Sequence, residues 1–182
     1  MYGLVNRAIC DLLQHELGEA GCARVKERAG AGIEVFVSLQ TYPDQSTVAL
    51  VVAAAEEMKL TVDEVLERFG VHWVHYAVSH GYRDLMQARG TSLFDFIARL
   101  DDLHSRLTLT FPELRPPSFR VTDRTSDAMR LHYVSEREGL APFVAGLIRG
   151  LADLFQVTVS VVHDKRRGTD GDHDEFLVTT LA

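Results

Sequence analysis

Two groups of side chains in this 182-residue chain have the types and spacing to do chemistry. The first centres on a histidine. Over Ser92–Phe111, SLFDFIARLDDLHSRLTLTF, apolar residues stand at Leu93, Ile97, Leu100, Leu107 and Phe111, with Phe96 and Leu103 beside them. That is a helical stripe with one place missing, and His104 fills the gap. Asp95, Arg99, Asp101, Asp102 and Arg106 take the wet face. An imidazole inside a core-facing stripe must be hydrogen-bonded or ligated, because an unpaired buried polar group costs free energy. By itself His104 reads as either a satisfied core histidine or a metal ligand. The second group is Tyr133, Ser135 and Arg137, at i, i+2 and i+4. In a strand this period of two puts all three on one face. A phenol, a hydroxyl and a guanidinium form a donor array suited to paired carboxylates, with the arginine supplying charge and fork. The plainer alternative is an exposed polar strand face.

A core imidazole and a clamp for two carboxylates together describe a haem site, with one axial ligand and two propionates. The sequence also resembles a known family, the H-NOX haem-nitric oxide/oxygen-binding domains, which include the haem domain of soluble guanylate cyclase. The matching pieces are MYGLVNRAI at the start, LDDLH, FPELRPPSF, LHYVSEREGLAP and the late GDHDEF, in that order from Met1 to Phe176. The resemblance implies a haem b (iron protoporphyrin IX) cofactor. It makes His104 the proximal iron ligand and Tyr133, Ser135 and Arg137 the propionate anchors, and Pro117 matches a family proline in contact with the porphyrin. It also implies two parts with the haem between them, residues 1–60 as a distal helical part and residues 61–182 as a proximal part.

The same resemblance supplies the gas pocket. Oxygen-binding members carry a tyrosine three residues before a glycine on the helix after the arginine of the triplet. Here the glycine is Gly146 and the position holds Phe143, which has no donor. Val5, Val74, Leu147 and Trp73 complete the expected pocket, Trp73 by likeness to cyanobacterial members. Its indole N–H is the one donor that would work against oxygen exclusion. These features imply a nitric oxide sensor without catalytic activity of its own. Nitric oxide would release His104 and shift its helix, and the signal would pass to a separate histidine kinase or nucleotide cyclase. A peroxidase-like haem enzyme using His72 or His75 as an acid–base group is the rival, and it requires a polar pocket. A third alternative is a domain that binds some other carboxylate ligand.

The elements that must position these residues are legible as an α+β arrangement, helices first and then an antiparallel sheet with one inserted helix. Tyr2, Val5, Ile9, Leu12 and Leu13 mark a first helix ending near Gly18, and a second runs over Ala20–Ala29. Ile33–Leu39 alternates loosely and is expected to be extended. A helix is expected over Thr47–Met58. Thr61-Val62-Asp63-Glu64 has the capping-box form, with Gly70 expected to close that helix and Val71–Ala88 to form another. Thr91 and Ser92 would cap a single histidine helix. Pro112, Pro116 and Pro117 end the helical pattern. Strands are expected at Ser118–Thr122, Met129–Ser135, Val157–His163 and Glu175–Leu181, with a helix over Leu140–Phe155.

Composition narrows the function classes. Apolar content of 46%, charged content of 25% and a net charge of −7 describe an ordinary soluble domain. The acidic balance without a basic stripe argues against nucleic acid. Lys165-Arg166-Arg167 reads as solvated surface. Two cysteines, Cys10 and Cys22, make no disulfide framework, and Cys10 is expected to be a buried inert thiol. No signal peptide or bilayer-length apolar run is present, so a cytoplasmic protein is expected. Asp170, Asp172 and Asp174 suggest a calcium loop, but Glu175 stands where glycine is required. No pair of His or Cys residues at ligand spacing is matched by a second pair, so the sequence offers no zinc motif.

Overall fold

The computed structural model describes residues 1–30, 35–82 and 92–181. Helix α1 covers Gly3–Arg28 and is broken at Gly18, where φ of 71° and ψ of 178° leave the helical region. Only glycine adopts that backbone readily, so the two helices expected on either side of it are the two arms of one kinked element. Helix α2, Asp44–Met58, begins three residues before the expected start and ends at Lys59 in the left-handed conformation. Val35–Leu39 forms no strand, and nearby only Tyr2 and Thr41 make an isolated bridge. Ile33 and Glu34 lie outside the described residues.

Helix α3, Val62–Ala77, starts as expected. The Thr61 hydroxyl accepts from the Glu64 amide and the Glu64 carboxylate accepts from the Thr61 amide, a reciprocal capping box. It does not stop at Gly70. That glycine sits where helix α6, Ala141–Leu154, crosses α3, and a Cβ there would lie 2.2 Å from the Phe143 carbonyl oxygen. Its role is close approach between helices. A π-helical turn, Val78–Tyr82, follows α3, and the remainder of the expected Val71–Ala88 helix, with Thr91, lies outside the described residues.

The histidine segment is two helices where one was expected. Ser92 caps α4, Leu93–Ile97, by accepting from the Asp95 amide. The chain leaves the helix at Arg99, with φ −110° and ψ 11°, and re-enters it as α5, Leu100–Thr110. The break resets the helical phase. Phe96 and Ile97 are therefore fully buried, while His104 is half-buried and Leu109 is exposed.

Strands β1 (Ser118–Thr122), β2 (Ala128–Val134), β3 (Thr158–Lys165) and β4 (Asp174–Leu181) form an antiparallel sheet in the order β1-β2-β4-β3, with α6 inserted between β2 and β3. Alternation decides the faces. Phe119, Met129, Leu131, Tyr133, Phe176 and Val178 face α6, and with Val144, Ile148 and Leu151 they form one buried cluster. The opposite face carries Arg120, His132, Glu175 and Lys165 in register. A second cluster joins α1, α2 and the first half of α3, including Leu13, Val25, Leu50, Val65 and Phe69. Burial pushes the Cys10 thiol in this cluster up to about 11, so it stays protonated and inert. Among the described residues no helix is long and apolar enough to cross a membrane.

Candidate ligand-binding site

His104 projects from α5, and the structure fixes which of its nitrogens is available. Its Nδ1 lies 3.1 Å from the Pro117 carbonyl oxygen. A carbonyl only accepts, so Nδ1 carries the proton and Nε2 carries the lone pair. Nε2 has no hydrogen-bond partner among the described residues. Burial lowers the imidazole pKa from its ordinary value, and this outweighs the upward pull of the Pro117 bond and of Asp101. The ring is therefore neutral near pH 7, held by one nitrogen and open at the other, as a metal-ligating histidine must be. Asp101 was expected on the wet face. Instead it accepts from the Phe119 amide at 2.5 Å and from the Ser118 hydroxyl at 2.8 Å, tying α5 to β1 one turn before His104.

The Tyr133–Ser135–Arg137 triplet does not share a strand face, because β2 ends at Val134. Only Tyr133 is in the strand, with its side chain buried in the sheet-side cluster. The chain then turns, and the turn gathers the three residues by another route. Ser135 stands close enough to the Tyr133 phenol to pull its pKa down against burial, and the Ser135 hydroxyl accepts from the Arg137 amide at 3.0 Å. Burial raises the Tyr133 pKa, so the phenol stays a donor. The Arg137 guanidinium donates to Asp44 at 2.7 Å and to the Arg115 carbonyl at 2.9 Å. Asp44 also accepts from the Met1 ammonium at 2.7 Å. Burial pushes the Asp44 carboxyl up, but its bonds to Met1 and Arg137 outweigh that and hold it below the usual carboxylate range.

Nothing in the sequence pattern pointed to Asp44 or Asp101. Asp44 is 93 residues from Arg137, and only folding brings the two together. Arg167, taken for solvated surface, donates to the Ser135 carbonyl at 2.7 Å and so fastens the β3–β4 turn to the loop of Ser135 and Arg137. The groove beside Arg137, about 590 Å³ in volume, is lined by Tyr42, Asp44, Arg115 and Glu136, and His104 is not on its wall.

Of the expected gas-pocket residues, Trp73 and Val74 stand on α3 and Phe143 and Leu147 on α6, the two helices that cross, while Val5 stands on α1. The Phe143 ring packs on Phe69 at 5.0 Å, and Phe69 meets Trp73 edge-on at 6.2 Å. Val5, Trp73 and Phe143 pack on the helical cluster, whereas Val74 and Leu147 belong with the sheet-side cluster that holds Phe119 and Tyr133. The His104 ring lies 5.7 Å from Phe119, which lies 5.5 Å from Tyr133. Val5, Trp73, Phe143 and Leu147 are only half-buried although apolar. The Trp73 indole N–H has no hydrogen-bond partner among the described residues. His72 is bonded to Asp11 at 2.8 Å and His75 is exposed, so neither is presented as an acid–base group to this pocket.

These features fit the group that the resemblance implies. A neutral imidazole offers its lone pair, an arginine already holds a carboxylate, and apolar side chains at the junction of two cores remain incompletely covered. His104, with Pro117 beside it, would hold such a group, and Val5, Trp73, Phe143 and Leu147 would offer it apolar cover.

Comparison with known proteins agrees. The haem-NO-binding family model matches residues 2–163. A soluble guanylate cyclase of Caenorhabditis elegans is 28% identical over 162 residues, 88% of this chain and 23% of the relative. The guanylate cyclase soluble subunit beta-2 of Rattus norvegicus is 38% identical over 127 residues, 66% of this chain and 19% of the relative. The chain thus spans about a fifth of the length of these relatives. Among solved structures, an H-NOX protein from S. oneidensis in the Fe(II)NO ligation state superposes with a TM-score of 0.89 at 20% identity, covering 100% of both chains. The unliganded Fe(II) H-NOX protein from K. algicida gives 0.85 at 19% identity, covering 100% of this chain and 97% of that one. The shared mixed α+β fold and the family match over nearly the whole chain lead to one conclusion: this chain belongs to the haem-NO-binding, or H-NOX, family.

Proposed function

We propose that the chain is a haem-based sensor domain for diatomic gases, selective for nitric oxide over oxygen, that signals through a separate protein. The observation that carries this reading is His104, neutral, anchored through Nδ1 to Pro117 and open at Nε2. In it His104 ligates haem b, Tyr133, Ser135 and Arg137 hold the propionates, and residues 1–60 and 61–182 form the distal and proximal parts. When bound, the haem would supply an iron able to take a diatomic gas, and His104 would be the protein ligand that nitric oxide releases. Phe143 offers bound gas no hydrogen bond, which disfavours oxygen and leaves nitric oxide unaffected.

Release of His104 leaves α5 tethered to β1 by Asp101 and by the His104–Pro117 bond. The break at Arg99 separates α5 from α4, and Leu103 of α5 shares the buried cluster of Phe96 and Ile97, so a shift of α5 would be felt in that packing. The result is a two-state element whose populations the gas biases. The relatives named above are guanylate cyclases, which favours a nucleotide cyclase as the partner; a signalling histidine kinase is the other candidate. The test is the absorption spectrum of the reduced protein alone, in air and with nitric oxide, alongside His104→Gly. The variant should lose haem or hold it only with added imidazole. An unchanged five-coordinate spectrum in His104→Gly without imidazole would overturn the assignment.

A further inference from the structure

On the sheet face turned away from α6, three potential metal ligands converge. His132 on β2 and Glu175 on β4 are register partners, and His173 stands just before β4. His132 and Glu175 are 7% and 6% exposed, which is unusual for an outward-facing polar pair and requires that both be satisfied. His132 Nδ1 lies 2.9 Å from His173 Nε2, and each is 3.7 Å from the same Glu175 oxygen, Oε1. A point equidistant from the three atoms lies about 2.0 Å from each, within the range of Zn–N and Zn–O bonds, ~2.0–2.2 Å.

The surrounding contacts point the same way. Each ring turns one nitrogen to the shared point and ties the other to an oxygen. His132 Nε2 is 2.8 Å from the Thr122 hydroxyl, and His173 Nδ1 is 2.5 Å from Asp172. Such outer contacts fix the tautomer and orientation of ligating histidines. Arg130 holds the other Glu175 oxygen at 3.0 Å and so aims the carboxylate. Lys165 shares Oε1 at 3.0 Å, but its side chain is 49% exposed and can swing into solvent.

We propose that His132, His173 and Glu175 form a binding site for a divalent transition-metal ion, zinc above all, separate from the haem site. Two imidazoles and one carboxylate suit such an ion and leave a fourth position for water. The ion takes the place of the proton that the two nitrogens otherwise share. Bound there, it clips the turn that carries Asp172 and His173 to β2. Arg167 of that same turn holds the Ser135 carbonyl.

The test is titration of chelator-treated protein with Co²⁺, followed by displacement with Zn²⁺, whatever its haem content, with zinc and iron quantified separately. Wild type should bind one equivalent with the intense visible bands of tetrahedral Co²⁺. His173→Ala, at a half-exposed position, and Glu175→Gln, which keeps the side-chain shape, should both abolish those bands while circular dichroism stays unchanged. Asp172→Asn should weaken binding by about ten- to a hundredfold. Absence of stoichiometric binding in the wild type, or equal binding by the folded His173→Ala and Glu175→Gln proteins, overturns the site and leaves these residues as a polar network alone. Neither outcome bears on His104, because the iron spectrum reports that site independently.

Discussion

The crossing of α3 and α6 makes the sharpest demand on side-chain size. A Cβ added to Gly146 would lie 2.0 Å from the Glu67 carbonyl oxygen, and one on Gly70 would lie 2.2 Å from the Phe143 carbonyl oxygen. Non-bonded carbon contacts settle near 3.5 Å, so either alanine must push the helices apart by about 1 Å or more. Both neighbours are backbone and cannot rotate away. Overpacking costs about 1–3 kcal/mol and occasionally more, against which alanine recovers up to ~1 kcal/mol of helix propensity. Because both neighbours are backbone, the cost lies toward the upper end of that range, and a net loss of about 1–2 kcal/mol is expected for Gly146→Ala and for Gly70→Ala. At roughly 2–4 °C per kcal/mol for a chain of this size, that lowers Tm by about 2–8 °C. Gly150→Ala, 2.9 Å from the Val71 oxygen, should cost less, and Gly171→Ala, with nothing within 4 Å, should fall within about 0.5 kcal/mol of wild type. Thermal unfolding by circular dichroism at matched haem content gives the ranking. If Gly146→Ala and Gly70→Ala unfold at or above the wild-type Tm, the close crossing is refuted, and with it the packing that positions Phe143 and Leu147.

Three further outcomes concern the site itself. Arg137→Ala should lower haem affinity about ten- to a hundredfold, since a charge-assisted bond is worth roughly 1.5–3 kcal/mol; Tyr133→Phe and Ser135→Ala should cost less, and competition with apomyoglobin in which Arg137 ranks last would dismiss the clamp. Phe143→Tyr should raise oxygen affinity by about ten- to a hundredfold, for a hydrogen bond of ~1–3 kcal/mol in a dry pocket, with carbon monoxide binding changed much less. A stable oxygen-dependent spectrum of the wild type in air would mean that another donor, Trp73 first among them, serves the bound gas, and would end the argument for selectivity. The third concerns acid. Because the folded pKa of His104 lies below its ordinary 6.5, the unfolded chain takes up this proton first. The stability that the neutral ring contributes is thus complete above that value and is lost as pH falls below it, towards the folded pKa. Haem release followed by absorbance should have its midpoint below pH 6.5, and release at or above that pH would contradict a neutral, buried ligand.

The strands were legible because one buried face leaves a period of two in the chain itself. Phe119 and Val121, then Met129, Leu131 and Tyr133, then Phe176 and Val178 state that face without reference to any neighbour. The capping box at Thr61 was legible for the same reason, since its two partners are three residues apart. His104 could be singled out as the polar interruption of an apolar stripe, although the stripe proved to be two helices meeting at Arg99. Gly70 was misread because a glycine that ends a helix and one that lets another helix approach are the same letter, and only the position of α6 separates them. The polar partnerships were beyond the sequence altogether. Tyr133, Ser135 and Arg137 meet through a turn and not along a strand, and Arg137 is held by Asp44 from another element. His132 and His173 are 41 residues apart, and no local spacing rule joins them to Glu175. Local patterns decided which faces were apolar. Strand register and helix crossing, which depend on contacts between distant segments, decided which polar atoms came within bonding distance.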